Sequence, residues 1–162
     1  MKRILAVILA AVMVMGLATA VFADDKTLDG DAGTTNVTYT TEEAYTVTIP
    51  ADITLTSSKL SATGNVKVTN ALLGSGETLK ITVASSNGYN LVNGDSKIAY
   101  TVKKGETTIT ADANEVISVE AGVKITDTNS AALTFATTEA NIKAATAAGA
   151  HKDTLTFTVS VK

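Results

Sequence analysis

The chain has 162 residues, no cysteine, one proline and a formal net charge of −3. Without cysteine it has neither disulfides nor thiolate chemistry, and its acidic balance argues against nucleic-acid binding, where phosphate contacts need basic clusters. The length suits one folded domain, which would bury about two thirds of the surface of the unfolded chain.

Residues 1–23 have the layout of a secretory signal peptide. A Lys-Arg head is followed by an apolar run over residues 4–17 and then by small residues. We expect cleavage after Ala23, with cleavage after Ala20 as the alternative. An uncleaved membrane anchor is the competing interpretation, but the apolar run is shorter than the ~20 residues that a spanning helix needs. The sequence therefore predicts a secreted, cell-surface-associated protein with no membrane span after cleavage.

Residues 24–35 are polar and acidic and contain glycine, and they predict a flexible N-terminal segment ahead of a folded domain at residues 36–162. Within that domain, apolar residues repeatedly alternate with threonine or serine, which predicts half-buried strands. The predicted strands cover, in chain order, residues 36–40, 44–49, 64–70, 78–85, 89–92, 97–103, 107–110, 115–120, 131–137 and 153–162.

The links between these strands carry recognisable turn residues. Pro50 ends the second strand because proline cannot donate to a ladder, and a short continuation through Ile53 and Leu55 is expected after it. Residues 57–63 are predicted to be a polar connection. Asn87-Gly88 predicts a hairpin between the strands on either side, since both residues tolerate positive φ.

An alanine-rich stretch interrupts the strands. Thr138 can cap a helix there and Gly149 can end it, so we predict a short surface helix from Thr138 to Ala148. The last strand follows, with Leu155, Phe157, Val159 and Val161 on one face and hydroxyl residues on the other. About ten short strands and one helix predict an all-β fold, an antiparallel β-sandwich of the immunoglobulin-like, Greek-key type.

Candidates for chemistry are few. His151 is the single histidine; we interpret it as an exposed loop residue, because no second His or Cys is present to complete a base or metal site. Asp29-Gly30-Asp31 resembles the start of a calcium loop but lacks the remaining ligands, and is interpreted as part of the linker. Gly74-Ser75-Gly76 lacks the lysine and the helix of a phosphate-binding loop and predicts a turn.

Two further patterns have ordinary explanations. Asn36-Val37-Thr38 matches a glycosylation sequon, which often occurs by chance. Four tyrosines, Tyr39, Tyr45, Tyr89 and Tyr100, would stack on a sugar if they shared an open face, but their strand positions favour the core or a sheet edge. We therefore predict no catalytic, metal or cofactor-binding residues, and no cofactor.

Two terminal segments resemble known families. The ending Gly149-x-x-x-Asp153-Thr-Leu-Thr-Phe-Thr-Val resembles that of small exported bacterial immunoglobulin-like sandwich proteins, including spore-coat-U-type, pilin-like subunits. The stretch Tyr45-Thr-Val-Thr-Ile-Pro50 resembles the opening of small surface proteins from Gram-positive bacteria. The resemblance implies a structural subunit rather than an enzyme, and it brings no catalytic residues with it.

From these features we expect a non-enzymatic structural or adhesive protein, a fibre subunit that assembles by strand addition. Either an exposed strand or the segment Thr34–Thr41, which lies within residues 24–41, is expected to add to a neighbour's sheet by main-chain hydrogen bonds. The expected partners are copies of the chain itself, cell-envelope components or a glycan, and not nucleic acid. A carbohydrate-binding sandwich module is the alternative, and a hydrolase is a third class. Lys-Asn isopeptide cross-links, which some Gram-positive surface sandwiches use, are a further hypothesis.

Overall fold

The computed structural model describes residues 38–123 and 126–162. The predicted signal peptide, residues 1–23, and the predicted flexible segment, residues 24–35, lie outside the described residues. Ten strands and one helix form in the described ranges: β1 (Ala44–Thr48), β2 (Ser61–Leu72), β3 (Thr78–Ser85), β4 (Asn90–Asn93), β5 (Ser96–Ala99), β6 (Thr101–Lys104), β7 (Thr107–Thr108), β8 (Glu115–Glu120), β9 (Asn129–Ala136), α1 (Glu139–Lys143) and β10 (Leu155–Val161).

The strands form two sheets and a small hairpin, and every pair is antiparallel. The larger sheet has the order β1-β2-β9-β6-β7, the smaller has the order β10-β3-β8, and β4 pairs with β5. Alternation along the strands places one apolar face of each sheet in a shared core. The fully buried residues of that core come from both sheets: Val66, Val68 and Leu133 from the larger, Leu79 and Ile81 from the smaller.

The strand order is that of an immunoglobulin-like sandwich. In that fold, strands A, B, E and D form one sheet, and C, F and G form the other. Here β1-β2-β9-β6 corresponds to A-B-E-D, and β10-β3 corresponds to F-C. The predicted fold class, an all-β antiparallel sandwich with one short helix before the C-terminal strand, is confirmed. No described strand takes the place of G beside β10.

Two strand predictions fail. Residues 38–43 have no regular secondary structure, so the described part of the strand predicted at residues 36–40 is wrong. The strand predicted at residues 97–103 is divided at Tyr100, whose backbone NH donates to the carbonyl of Tyr89 at 3.0 Å. The half before Tyr100 stays in the hairpin as β5, and the half after it joins the larger sheet as β6.

The hairpin predicted at Asn87-Gly88 is also wrong. Both edges of β3 are already occupied by β10 and β8, so the chain leaves this sheet after Ser85 and forms β4 elsewhere. The Ser85 hydroxyl oxygen accepts from the backbone NH of Tyr89 at 2.6 Å and holds the intervening residues in a tight turn. Gly88 and Tyr89 both have positive φ, near 60°, so the turn signal was real although no hairpin follows.

Three boundaries differ from those predicted. Strand β2 begins at Ser61, inside the predicted polar connection, because it pairs with β9 from that residue onward. Residues Ile53 and Leu55 are not in a strand. Helix α1 begins as predicted, with the Thr138 hydroxyl accepting from a backbone NH at 3.2 Å, but ends at Lys143. The NH groups further along the predicted helix donate instead to Ser96, at 2.9 and 3.1 Å.

Candidate functional site

Strand β10 has a free backbone edge. It pairs with β3 on one side and with no other described strand. Thr78 and Lys162 exchange both backbone hydrogen bonds, at 2.8 and 3.1 Å. Bonded pairs alternate along an antiparallel ladder, so the even-numbered residues of β10 bond to β3. The odd-numbered residues, among them Phe157 and Val159, direct their NH and C=O groups to the open side.

The same odd-numbered residues carry the apolar side chains of β10. Leu155, Phe157, Val159 and Val161 pack against the core, yet each stays only half-buried. The side chain is therefore apolar and incompletely covered at each position where the backbone is unpaired. An added strand with alternating apolar residues would pair with the free backbone groups through ladder hydrogen bonds and would bury the half-exposed apolar side chains.

A cavity of about 620 Å³ lies along the first half of this edge. One wall is formed by the beginning of β10, through Leu155 and Phe157. The other wall is the segment Ile49–Leu55, which follows β1 and which we call the strap. Leu91, Tyr100 and Phe135 form the floor. The cavity and the free edge together form an open groove between β10 and the strap, which we call the groove.

Asp153 closes one end of the groove through a hydrogen-bond network. One carboxylate oxygen accepts from the hydroxyls of Tyr100 and Ser85, both at 2.6 Å. The other accepts from the backbone NH groups of Asn87 and Thr154, at 3.1 and 2.8 Å. All four partners are donors, which suits an ionised carboxylate. The network ties the end of β3 to the start of β10.

Burial and this carboxylate change the acidity of two tyrosines. Desolvation, followed by the hydrogen bond to Asp153, raises the pKa of Tyr100 far above the ordinary tyrosine value. Desolvation and the nearby Asp153 charge also raise the pKa of Tyr89. The two rings meet edge to face with centroids 6.0 Å apart, a favourable aromatic geometry. Both tyrosines therefore stay uncharged at neutral pH and contribute to packing in the interior.

His151 is half-buried and fully bonded, which corrects its interpretation as an exposed loop residue. Ser96 is 3% exposed, and its oxygen already accepts two backbone NH groups. Its hydroxyl proton therefore points at Nε2 of His151, 2.8 Å away, while Nδ1 lies 3.1 Å from the carbonyl of Gly149. This pattern places an accepting Nε2 against Ser96 and an Nδ1-H that donates to Gly149, so each ring nitrogen has a hydrogen-bond partner within the fold.

The tyrosines do not form a sugar-stacking platform. Tyr100 is 8% exposed, and Tyr89 and Tyr45 pack against the core, as predicted. Tyr39 is the exception, because it is 83% exposed and lies in the irregular segment before β1. A carbohydrate site built on stacked tyrosines does not fit this arrangement.

The turn predicted at Gly74-Ser75-Gly76 is present, with φ of +83° at Gly76. The Glu77 carboxylate accepts from the backbone NH of Gly74 at 3.0 Å. The carboxyl of Glu43, which directly precedes β1, meets that of Glu77 beside the same glycine. The hydrogen bond that protonated Glu43 donates to Glu77, and the repulsion between the two charges, raise the pKa of Glu43. No phosphate-binding loop is formed here.

Several remaining predictions fall wholly or partly outside the described residues. Asp29-Gly30-Asp31 and the first two sequon residues lie there, and Thr38 is exposed. Within residues 38–123 and 126–162, no three His, Asp or Glu side chains gather to hold a metal, and no helix has the length and apolarity to span a bilayer. In the same ranges, the bonded lysine ammonium groups contact carboxylates or backbone carbonyls and not asparagine amides.

The sequence analysis missed the strap and Asp153. Pro50 signalled the end of the preceding strand, but the alternation of Ile53 and Leu55 after it was interpreted as a short strand continuation. Asp153 carries no local signal, because its partners Ser85 and Tyr100 lie 68 and 53 positions away. Such pairings become visible only when the topology is known.

Comparisons with known proteins identify no family. No family model matches the chain, and no curated protein matches it. Among solved structures, the P pilus rod subunit PapA aligns with a TM-score of 0.46 and 15% sequence identity. The alignment covers 72% of this chain and 99% of that subunit. We therefore infer what the chain does from its own geometry.

Proposed function

We propose that the chain is a non-enzymatic structural subunit, secreted or held at the cell surface, which assembles with copies of itself by strand addition along β10. The donor is the N-terminal segment of a second copy, residues 24–41, and within it Thr34–Thr41. Val37 and Tyr39 are two positions apart, as are the half-buried side chains of β10 that such a strand would cover.

The observation that supports this proposal most directly is the free edge of β10 beside the groove. Exposed edges are usually blunted by charges, prolines or bulges, because they template pairing with other chains. The open side of β10 has none of these between Leu155 and Val161, and its register with β3 is continuous. A second copy that supplied a strand at this edge would take the position that strand G has in an immunoglobulin-like sandwich.

The described part of the donor segment supports its availability. Residues 38–43 are exposed and have no regular secondary structure, and Tyr39 has the most exposed large apolar side chain in the described ranges. A donor that stays extended and unpaired in its own copy can reach a neighbour. The bonded states of Asp153 and His151 support the non-enzymatic part of the proposal.

Assembly of the purified chain tests the proposal. We expect concentration-dependent oligomers by size-exclusion chromatography with light scattering, and fibres by negative-stain electron microscopy. The double variant Val37→Asp, Tyr39→Asp should abolish them, because both charges would enter the apolar groove. The matched control, Thr38→Asp with Thr40→Asp, places the charges on the opposite face of the donor and should assemble. A chain that stays monomeric at high concentration contradicts the proposal.

A further inference from the structure

The smaller sheet has a second free edge, along β8. Strand β8 pairs with β3 on one side and with no other described strand. The backbone NH of Ala121 donates to Glu77 at 2.9 Å, so the odd-numbered residues from Ile117 to Ala121 bond to β3. Ser118 and Glu120 therefore direct their NH and C=O groups to the open side. Such an edge is a template for pairing with another chain unless a feature of the fold prevents it.

A β-bulge interrupts the first half of this edge. Thr82 pairs with Glu115 although Ile81 pairs with Ile117, which leaves Val116 as an extra residue. In a regular strand the carbonyls of Glu115 and Val116 would point to opposite sides. At the bulge both lie within hydrogen-bond distance of one donor.

That donor is the ammonium group of Lys104, which reaches β8 from the larger sheet. Its Nζ donates to the carbonyl of Val116 at 3.1 Å and to that of Glu115 at 3.3 Å. Lys104 lies two positions after the fully buried Val102, so its side chain leaves β6 on the core face, and it is half-buried. Inward-pointing charged residues beside a sheet edge are one means by which proteins keep edges from pairing.

The lysine has only backbone acceptors at this edge. The side chain of Glu115 is engaged elsewhere, because its carboxylate pairs with Lys80 of β3 at 3.0 Å. Lys104 itself forms no ion pair with any carboxylate in the described part of the chain. A strand docked along β8 would therefore remove the ammonium group from water without supplying an opposite charge, which is unfavourable.

The strand best matched to this edge is β8 of a second copy, since two identical edges pair about a two-fold axis. An antiparallel pair centred on Ser118 would join the two Ser118 residues, and would join Val116 of each copy to Glu120 of the other. The carbonyl of Val116 would have to accept from the NH of Glu120, but it already accepts from Lys104. The lysine thus occupies an acceptor that the pairing needs, and it places a charge at each end of the pair.

We propose that Lys104 prevents β8 from pairing with β8 of a second copy, so that the smaller sheet has one usable edge, at β10. The block is a property of the single copy and holds whether or not β10 accepts a donor strand. In an assembling chain it would keep fibres unbranched, because pairing through β8 would join two copies in addition to any link made at β10.

Lys104→Met tests the block, because methionine keeps an apolar stem and removes the charge and the donors. The background is the full chain carrying Val37→Asp and Tyr39→Asp, in which the proposed donor is disabled, so the result does not depend on strand addition. By light scattering we expect Lys104→Met to dimerise at least about tenfold more tightly than this background, the equivalent of one ladder hydrogen bond gained. The matched control, Lys103→Met, removes the neighbouring lysine on the opposite face of β6 and should stay monomeric.

Lys104→Gln provides a second test that does not depend on the fold tolerating methionine. Glutamine leaves an uncharged amide donor for the two carbonyls, so this variant should fold and should also dimerise. Urea unfolding establishes that each variant is folded. Adding Ser118→Pro to either variant should restore the monomer, because it removes the central hydrogen bonds of the pair from an NH that faces the open side and not β3.

The inference fails if a folded Lys104 variant stays monomeric. It fails equally if Lys103→Met dimerises as Lys104→Met does, or if the dimers persist with Ser118→Pro, because the association would then lie elsewhere than along β8.

Discussion

Two adjacent proline substitutions in β10 should have opposite consequences. The backbone NH of Thr158 faces β3 and donates to Thr82, whereas that of Val159 faces the open groove. Proline at an NH that faces solvent is tolerated on an edge strand, but proline at a ladder NH is not. Val159→Pro should therefore fold but self-associate more weakly, and Thr158→Pro should lose stability.

The magnitudes follow from the contacts. Thr158→Pro leaves the backbone carbonyl of Thr82, which faces β10, without its donor, and this costs about 1–3 kcal/mol before any steric strain. Val159 is half-buried, so exchanging its side chain for the proline ring costs about 1 kcal/mol, part of the ~1.5–3 kcal/mol for full burial of valine. Against a typical total of about 5–15 kcal/mol, only the first loss threatens the fold.

Urea unfolding and light scattering measure the two effects separately. We expect Val159→Pro to unfold near the wild-type midpoint and to weaken self-association about tenfold or more, the equivalent of one lost hydrogen bond. Thr158→Pro should shift the midpoint clearly lower. If Val159→Pro assembles as the wild type does, or if the two variants are equally stable, the assignment of the open edge is wrong.

Three further predictions concern the groups around the groove. Ser96→Ala leaves two backbone NH groups without an acceptor and should cost about 2 kcal/mol in chemical unfolding, whereas an unchanged midpoint would contradict the network. Glu77→Gln should stabilise the chain at neutral pH, because it removes the repulsion between the two carboxylates. The raised pKa of Glu43 means that its contribution is already present in acid and is lost as pH rises through that pKa, so the gain measured by calorimetry should shrink as pH falls, and a gain that does not change with pH would refute the pairing. Tyr100→Phe should cost about 2 kcal/mol of unfolding free energy at neutral pH. Because folding raises the pKa of this phenol, wild-type stability is lost as pH rises past the ordinary tyrosine range, and the variant should lose less stability at alkaline pH. In a titration followed by phenolate absorbance, the variant should lack the ionisation step at the highest pH, and retention of that step would contradict the assignment.

Much of the fold follows from periodicity. Strands β3 and β8 were predicted with their observed bounds. In β3 apolar and polar residues alternate, whereas in β8 the adjacent Val116 and Ile117 interrupt the alternation. Strand β10 alternates as β3 does and was predicted within two residues. These strands are decided locally by which residues must be buried, and local sequence is enough to find them.

The failures share a different cause. The turn at Asn87-Gly88 is real, but whether a hairpin follows depends on which strands already occupy the edges of β3. The early end of α1 depends on Ser96, which lies about fifty residues away. A local pattern reports the conformation of a segment and not its partners, so pairings with long sequence separation could not be predicted from it.

The groove shows the same difference between what local sequence predicts and what strand pairing decides. The alternating side chains of β10 were predicted correctly. Strand addition was expected for other reasons: an exported chain with many strands, a flexible N-terminal segment and no evident active site. Only the strand register shows which edge of β10 is free. The register and the contact between Pro50 and Gly64 also show where the strap turns away from β2.

Residue-resolved amide exchange along β10, in dilute monomer and in the assembled state, is the most direct test of the open edge. In the monomer we expect Thr156 and Thr158 to exchange slowly and Phe157 and Val159 to exchange fast, and in the assembly all four should be slow. Protection of Phe157 and Val159 already in the monomer, or their continued fast exchange in the assembly, would contradict strand addition at this edge.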